Sequence, residues 1–186
     1  MTNVEPFHKN LGDMLVAAER CIQLRQHLPA LVLMYALVDS LAWAASGDTE
    51  PKVGKRFESW VSTWLLPEIT KSAPTVTATD LYAARCGVLH TLTGDSDLNT
   101  TGRAKRLMYA WGTARPEVLE AVIREMKQTS YVAIHYGDLR TALVRATGRF
   151  LESASNDPAL SARLELAAAK HYVNIDALGA TDEPNV

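Results

Sequence analysis

Arg85 and His90, with four residues between them, stand in an otherwise apolar stretch that reads DLYAARCGVLHTLTGD (residues 80–95). A guanidinium keeps its charge on burial and therefore needs a carboxylate or an anion to face. An imidazole exchanges a proton near neutral pH. The pair could therefore bind a phosphate and move a proton, or it could form a buried polar network that only fixes how helices pack.

The spacing of the two residues constrains how they meet. Five positions along a regular helix turn by about 140°, so the two side chains do not share one stripe. Gly87 lies between them and allows a local distortion or the close approach of another backbone. The spacing favours a cleft that is reached from two sides over a surface pair.

One acidic residue is the natural partner of this pair. The stretch 30–45 is apolar nearly all round, which is typical of the central helix of a bundle, and Asp39 interrupts it. A carboxylate in that setting is costly unless it is hydrogen-bonded or paired. We therefore expect Asp39 to contact Arg85 or His90.

Two groups of basic residues are candidates for binding backbone phosphates of a nucleic acid. One group opens a predicted helix and the other lies in the polar loop after Gly94. The candidates are Lys52, Lys55 and Arg56, and Arg103, Lys105 and Arg106. A solvated helix start or loop has the same composition, so this alternative stays open.

Composition indicates one soluble domain without an overall basic field. The chain has 186 residues, 47% hydrophobic and 22% charged, with a formal net charge of -2. Its two cysteines are expected to be reduced, the N-terminus has no signal-peptide pattern, and the apolar run 30–38 is too short to span a bilayer. We predict a cytoplasmic protein that has no membrane association.

No metal or cofactor is predicted. Cys86 and His90 have a spacing that could hold a metal, but no third ligand lies nearby in the sequence. Cys86 could instead be a nucleophile with His90 as its base. The sequence has no glycine-rich phosphate loop and no common hydrolase motif.

Nearly every periodic segment has the period of a helix, which predicts an all-α, up-and-down bundle with additional C-terminal helices. Thr77 or Thr79 is expected to cap the helix that carries the pair. The segment RLMYAW (106–111) fits a strand or a helical turn equally well. The domain is predicted to span 12–175, after a flexible arm (1–11) and before a tail (176–186). The other predicted helices cover 13–28, 30–45, 53–66, 116–127, 131–151 and 160–173.

The Arg–four residues–His motif in RCGVLH, together with a preceding apolar helix that holds a lone acid, resembles the HEPN superfamily (higher eukaryotes and prokaryotes nucleotide-binding). The resemblance covers roughly residues 12–150. It implies a HEPN-like homodimer in which the motif helices of two subunits meet. Many members are metal-independent ribonucleases of toxin, anti-phage or RNA-processing systems, whereas others only bind. Cys86 stands where active members often have a polar residue, and Leu92 stands where one toxin branch has tyrosine.

On this resemblance, His90 would take the proton of a ribose 2′-hydroxyl, Arg85 would stabilise the charged phosphate, and Asp39 would orient one of them. The arginine of one subunit could face the histidine of the other. The products would be a 2′,3′-cyclic phosphate and a 5′-hydroxyl, and a regulatory partner protein is conceivable. The alternative is a non-catalytic helical dimer that binds a protein or a nucleotide. A weaker one is a small-molecule enzyme with an apolar pocket remote from Arg85.

Overall fold

The computed structural model describes residues 4–69, 73, 75–127 and 129–170, and helices make up most of this part of the chain. The helices are α1 (Glu5–Gln23), α2 (His27–Ser46), α3 (Val53–Trp60), α4 (Leu66–Ile69), α5 (Ala78–Thr91), α6 (Asp97–Thr100), α7 (Pro116–Glu125), α8 (Tyr136–Asn156) and α9 (Pro158–Lys170). A π-helical segment, Val61–Leu65, joins α3 to α4. Two parallel strands, β1 (Arg106–Ala110) and β2 (Tyr131–His135), form a small sheet. The prediction of a mainly helical bundle is confirmed.

Helix α2 is the centre of the bundle, because it packs against α1, α3, α5 and α9. Its apolar residues point in several directions and are buried on each side, as expected of a helix without a polar face. The apolar run 30–38 is only part of this helix. The whole helix is long and apolar enough to cross a bilayer, but half of its apolar window is buried within the fold, as in the core helix of a soluble protein. The absence of a membrane association stays a prediction.

The first helix begins earlier than predicted. Residues from Glu5 onward are helical, so the expectation of a flexible arm over 1–11 is wrong for that part, and residues 1–3 lie outside the described chain. Phe7 and Leu11, one turn apart, are 0% and 2% exposed, and their burial holds this turn against the bundle. Pro6 is compatible with the first turn of a helix, where its missing N–H costs nothing. The predicted tail, 176–186, and the end of the last predicted helix lie outside the described residues.

The sheet corrects a second prediction. YVAIH was expected to open a helix at Tyr131, but it forms β2 and pairs with β1, with Leu107 opposite Val132. The segment RLMYAW, which fitted two structures, is a strand over its first five residues. The crossover through α7 makes the pair parallel, so its stability depends on covering both faces. Leu107 and Val132 belong to the bundle core, and α7 also contacts both strands.

Tyrosines attach the sheet to the bundle. The hydroxyls of Tyr35 on α2 and Tyr109 on β1 are 2.6 Å apart, and the rings of Tyr109 and Tyr136 are 5.1 Å apart. Burial raises the pKa of Tyr35 and of Tyr109 well above the ordinary tyrosine value. Both hydroxyls therefore keep their protons and can share a hydrogen bond where water is excluded.

Candidate functional site

Asp39, Arg85 and His90 are in contact within one chain. Arg85 Nε and Nη2 donate hydrogen bonds to Asp39 Oδ2 at 2.8 and 2.5 Å, and Arg85 Nη1 lies 2.9 Å from His90 Nε2. The expected contact between Asp39 and the pair is thus present. The spacing was expected to favour a cleft reached from two sides, and a second subunit could have supplied the facing arginine. In the structure the long side chain of Arg85 reaches His90 from its own helix.

The electrostatics keep Arg85 charged. Its side chain is 12% exposed and that of Asp39 is 23% exposed. Burial by itself would lower the pKa of Arg85, but the hydrogen bond and the charge of Asp39, with a smaller contribution from Cys86, raise the pKa above its ordinary value. The guanidinium is therefore a fixed positive charge that Asp39 holds in place.

The contact between Arg85 and His90 determines which ring nitrogen carries the proton. A guanidinium has donors only, so Nη1 must donate and His90 Nε2 must accept. An imidazole that accepts at Nε2 carries its proton on Nδ1. His90 itself is exposed. Its Nε2 lone pair therefore lies beside a fixed cation at the protein surface.

Asp80 positions the start of α5, and sequence reasoning did not single it out as a structural acid. Thr77 Oγ1 accepts a hydrogen bond from Asp80 N at 3.1 Å, and Asp80 Oδ2 accepts one from Thr77 N at 3.0 Å, so Thr77 is the cap. The other carboxylate oxygen accepts from Lys105 N at 2.6 Å, which ties the residue before β1 to the helix. Asp80 is 2% exposed. The T-x-x-D spacing is the sequence signal that marks it.

The loop after α5 folds back onto the helix at Gly87. A Cβ atom at Gly87 would lie 2.7 Å from the carbonyl oxygens of Thr93 and Asp95. Leu92 reverses the chain in a left-handed conformation, with φ of 55°. The close approach that Gly87 was expected to allow is present. It places residues 93–95 next to His90.

We expect Gly87→Ala to destabilise the protein and to displace this loop. The new methyl group meets two backbone carbonyls that cannot rotate away, so the free energy of unfolding should fall by about 1–3 kcal/mol. Gly148→Ala is the matched control, because this glycine is also within a helix and a Cβ there meets nothing within 4 Å. That change should stabilise the protein by about 0.5–1 kcal/mol. Urea denaturation measures both, and equal effects would contradict the close packing at Gly87.

Two open cavities flank the Arg85–His90 contact. The first, of about 300 Å³, is lined by Asp39 and Arg85 together with Arg56 and Trp43. The second, of about 390 Å³, is lined by His90, Cys86 and polar residues of the following loop. A phosphate in the first cavity would meet two guanidinium groups, and an adjacent hydroxyl could reach His90 from the second.

The six basic residues predicted to bind phosphate do not gather at one place. Arg56 lines the cavity of Arg85, whereas Lys105 lines a different cavity beside α7. Arg106 forms an ion pair with Asp95 and donates to Tyr131 Oη at 2.9 Å, so its charge is already compensated. The remaining three are exposed: Lys52, Lys55 and Arg103. Lys55 Nζ lies 4.0 Å from a carboxylate oxygen of Glu50. Of these six basic residues, only Arg56 therefore lines the same cavity as Arg85.

Tyr82 is a further neighbour of the site. It lies one turn before Cys86, packs on Phe57 with the ring centroids 5.4 Å apart, and carries the hydroxyl toward Cys86. Burial raises the pKa of Tyr82, and the adjacent Cys86 raises it further. Within the described residues, no group of three or more histidine, cysteine, aspartate and glutamate side chains could hold a metal ion.

Comparison of the chain with family models, curated proteins and solved structures finds no match.

Proposed function

We propose that the chain is a HEPN-like, metal-independent endoribonuclease that cleaves single-stranded RNA at the Arg85–His90 site. The observation that supports this most is the hydrogen bond from a carboxylate-held arginine to Nε2 of an exposed histidine, whose lone pair can take up a proton once that hydrogen bond is released. Fixed positive charge and a proton acceptor are the two groups that RNA transesterification needs.

Substrate binding would rearrange one contact only. A phosphate oxygen would take the place of His90 Nε2 as the acceptor for Arg85 Nη1, and Arg56 would supply a second cation from the same cavity. His90 Nε2 would then accept from the ribose 2′-hydroxyl. Asp39 would keep the guanidinium in position throughout, because its two hydrogen bonds come from Nε and Nη2 and not from Nη1.

The reaction is an internal transesterification. The 2′-oxygen attacks phosphorus, its proton passes to His90, and the bond from phosphorus to the 5′-oxygen breaks. The leaving 5′-oxygen takes a proton from water or from a protonated side chain. The products are a 2′,3′-cyclic phosphate and a 5′-hydroxyl, and no water is consumed in this step. Arg85 would stabilise the negative charge that grows on the phosphate oxygens.

A non-catalytic module that binds a protein or a nucleotide is a second candidate, and the ion pair favours it. Asp39 already compensates Arg85 within one chain, and a network of this kind can serve only to fix the packing of α2 against α5. Homodimerisation, a regulatory partner protein and a cytoplasmic location stay predictions for either function.

A cleavage assay on a defined, end-labelled single-stranded RNA in EDTA tests the proposal. We expect cleavage to 2′,3′-cyclic phosphate ends, and we expect a 2′-deoxy strand of the same sequence to remain intact. Cleavage of both strands, or a requirement for added metal, would contradict the mechanism. The second candidate predicts that the RNA strand stays intact. Fluorescence anisotropy on the same RNA then measures whether the protein binds the strand without cleaving it.

A further inference from the structure

A cavity of about 250 Å³ beside α7 gathers positive charge. Lys105, Arg124 and Lys127 line it, together with one acidic residue, Glu120. The cations come from two separate parts of the chain, since Lys105 precedes β1, whereas Arg124 lies at the end of α7 and Lys127 follows that helix. The cavity therefore has an excess of two positive charges, although the chain as a whole has a formal net charge of -2.

The three cations of this cavity have no carboxylate partner. Within the part of the chain that the structure describes, the side chains of Lys105, Arg124 and Lys127 form no ion pair and no hydrogen bond. Other surface arginines are paired, since Arg140 Nε and Arg149 Nη1 each lie 2.8 Å from a carboxylate oxygen. Like charges that share a cavity repel one another, so an anion that enters the cavity is stabilised by all three.

Lys127 occupies a backbone position that favours glycine. The chain reverses there after α7 with a φ of 54°, and Lys127 N donates a hydrogen bond to Arg124 O at 3.0 Å. A side chain is strained in this left-handed conformation, and glycine is the residue found most often at such a helix end. The chain thus keeps a charged side chain at the cavity where backbone conformation alone would favour none.

Tyr131 adds a hydrogen-bond donor and an apolar wall to the cavity. Its hydroxyl accepts a hydrogen bond from Arg106 Nη1 at 2.9 Å, so its own proton remains available for donation. Thr75 and Thr129 line the same cavity, and Ile123 contributes to its apolar side. The lining therefore offers cations and O–H donors to an anionic group, and an apolar surface to the group that carries it.

The charge and the size of the cavity indicate the class of ligand. A phosphomonoester has close to two negative charges at neutral pH, which matches the excess charge of the cavity, whereas a phosphodiester of RNA has one. The volume of about 250 Å³ is below the range of about 300–1,000 Å³ that is usual for drug-sized ligands. A phosphate on a single ring or on a short chain fits this volume better than an RNA strand does.

We propose that this cavity binds a small phosphomonoester. Lys105, Arg124 and Lys127 bind the phosphate, and Ile123 and the ring of Tyr131 contact its apolar substituent. The proposal does not depend on RNA cleavage, because the lining of this cavity and the linings of the two cavities at the Arg85–His90 contact share no residue.

An NMR titration of the full chain with phenyl phosphate tests the ligand class. We expect the backbone amide signals of Lys105, Arg124 and Tyr131 to shift and to saturate with a single dissociation constant. Methyl phenyl phosphate keeps the ring but has one negative charge, so it should bind about tenfold more weakly or worse. If the diester binds as tightly as the monoester, the cavity recognises RNA backbone phosphates and the proposal is wrong. Shifts that do not saturate, or that centre on Arg85, would also overturn it.

Removal of one charge inside the cavity and one outside tests the site. Arg124→Ala should raise the dissociation constant of phenyl phosphate about tenfold, as expected for the loss of a charged hydrogen bond. Arg145→Ala is the matched control, because Arg145 is also an exposed arginine on a helix but does not line the cavity, so binding should be unchanged. Equal weakening by both variants would show that only the net charge attracts the anion, which is incompatible with a defined site.

Lys127→Gly separates binding from folding. Glycine adopts a positive φ without strain, so the melting temperature should stay the same or rise. Loss of the ammonium group should nevertheless weaken the binding of phenyl phosphate about tenfold. A stable variant with the wild-type dissociation constant would exclude Lys127 from the site and remove the charge match on which the proposal rests.

Discussion

His90→Ala is expected to lower the rate of RNA cleavage by about 10²–10⁴-fold, the usual contribution of a general base. The side chain is exposed and its contact is a single hydrogen bond from Arg85, so the fold should lose little stability. The rate should be measured under single-turnover conditions in EDTA, so that product release does not mask the chemical step.

Two further variants separate proton transfer from simple loss of a side chain. His90→Gln keeps an oxygen that can accept from Arg85 but cannot take up a proton near neutral pH, so we expect it to be as inactive as His90→Ala. His8→Ala removes an exposed histidine on α1 and should keep the wild-type rate. If His90→Gln or His90→Ala cleaves at the wild-type rate, His90 is not the base.

The three central residues were predictable because they are anomalies in their surroundings. A lone carboxylate in the apolar segment of α2 and a lone guanidinium in the apolar segment of α5 must meet, since neither can be buried alone. Helix geometry alone did not predict that Arg85 would contact His90 of its own helix. A five-residue spacing describes where Cβ atoms point, whereas Arg85 bridges the angle with its long side chain.

The sheet is a part of the fold that the local sequence pattern does not predict. YVAIH is rich in β-branched and aromatic residues and leads directly into the helical pattern of α8, so periodicity alone does not divide the two. Its strand conformation depends on pairing with Arg106–Ala110, about twenty-five residues earlier, and on coverage by α7. The start of α1 at Glu5 likewise depends on the burial of Phe7 by distant helices, which a local reading of a polar N-terminus does not include.

Removing either partner of the Asp39–Arg85 ion pair is expected to lower the free energy of unfolding by about 2–4 kcal/mol, because the remaining charge is left largely buried without a partner. The double variant Asp39→Ala with Arg85→Ala should be less destabilised than the sum of the two single variants, with a coupling of about 1–3 kcal/mol. Urea denaturation of the four proteins measures this cycle. A coupling near zero would show that the pair does not hold α2 and α5 together.

Arg85→Lys distinguishes a positioning role in the fold from a role in cleavage. Lysine keeps the positive charge for Asp39 and should retain more of the stability than Arg85→Ala does. It has one ammonium group in place of a planar fork, so it cannot hold Asp39 through two nitrogens and also donate to a phosphate at the position of Nη1. We therefore expect cleavage by Arg85→Lys to fall by about 10²-fold or more, while most of the fold's stability is retained. A variant that stays stable and still cleaves at the wild-type rate would mean that Arg85 serves the packing of the two helices and not the chemistry of the site.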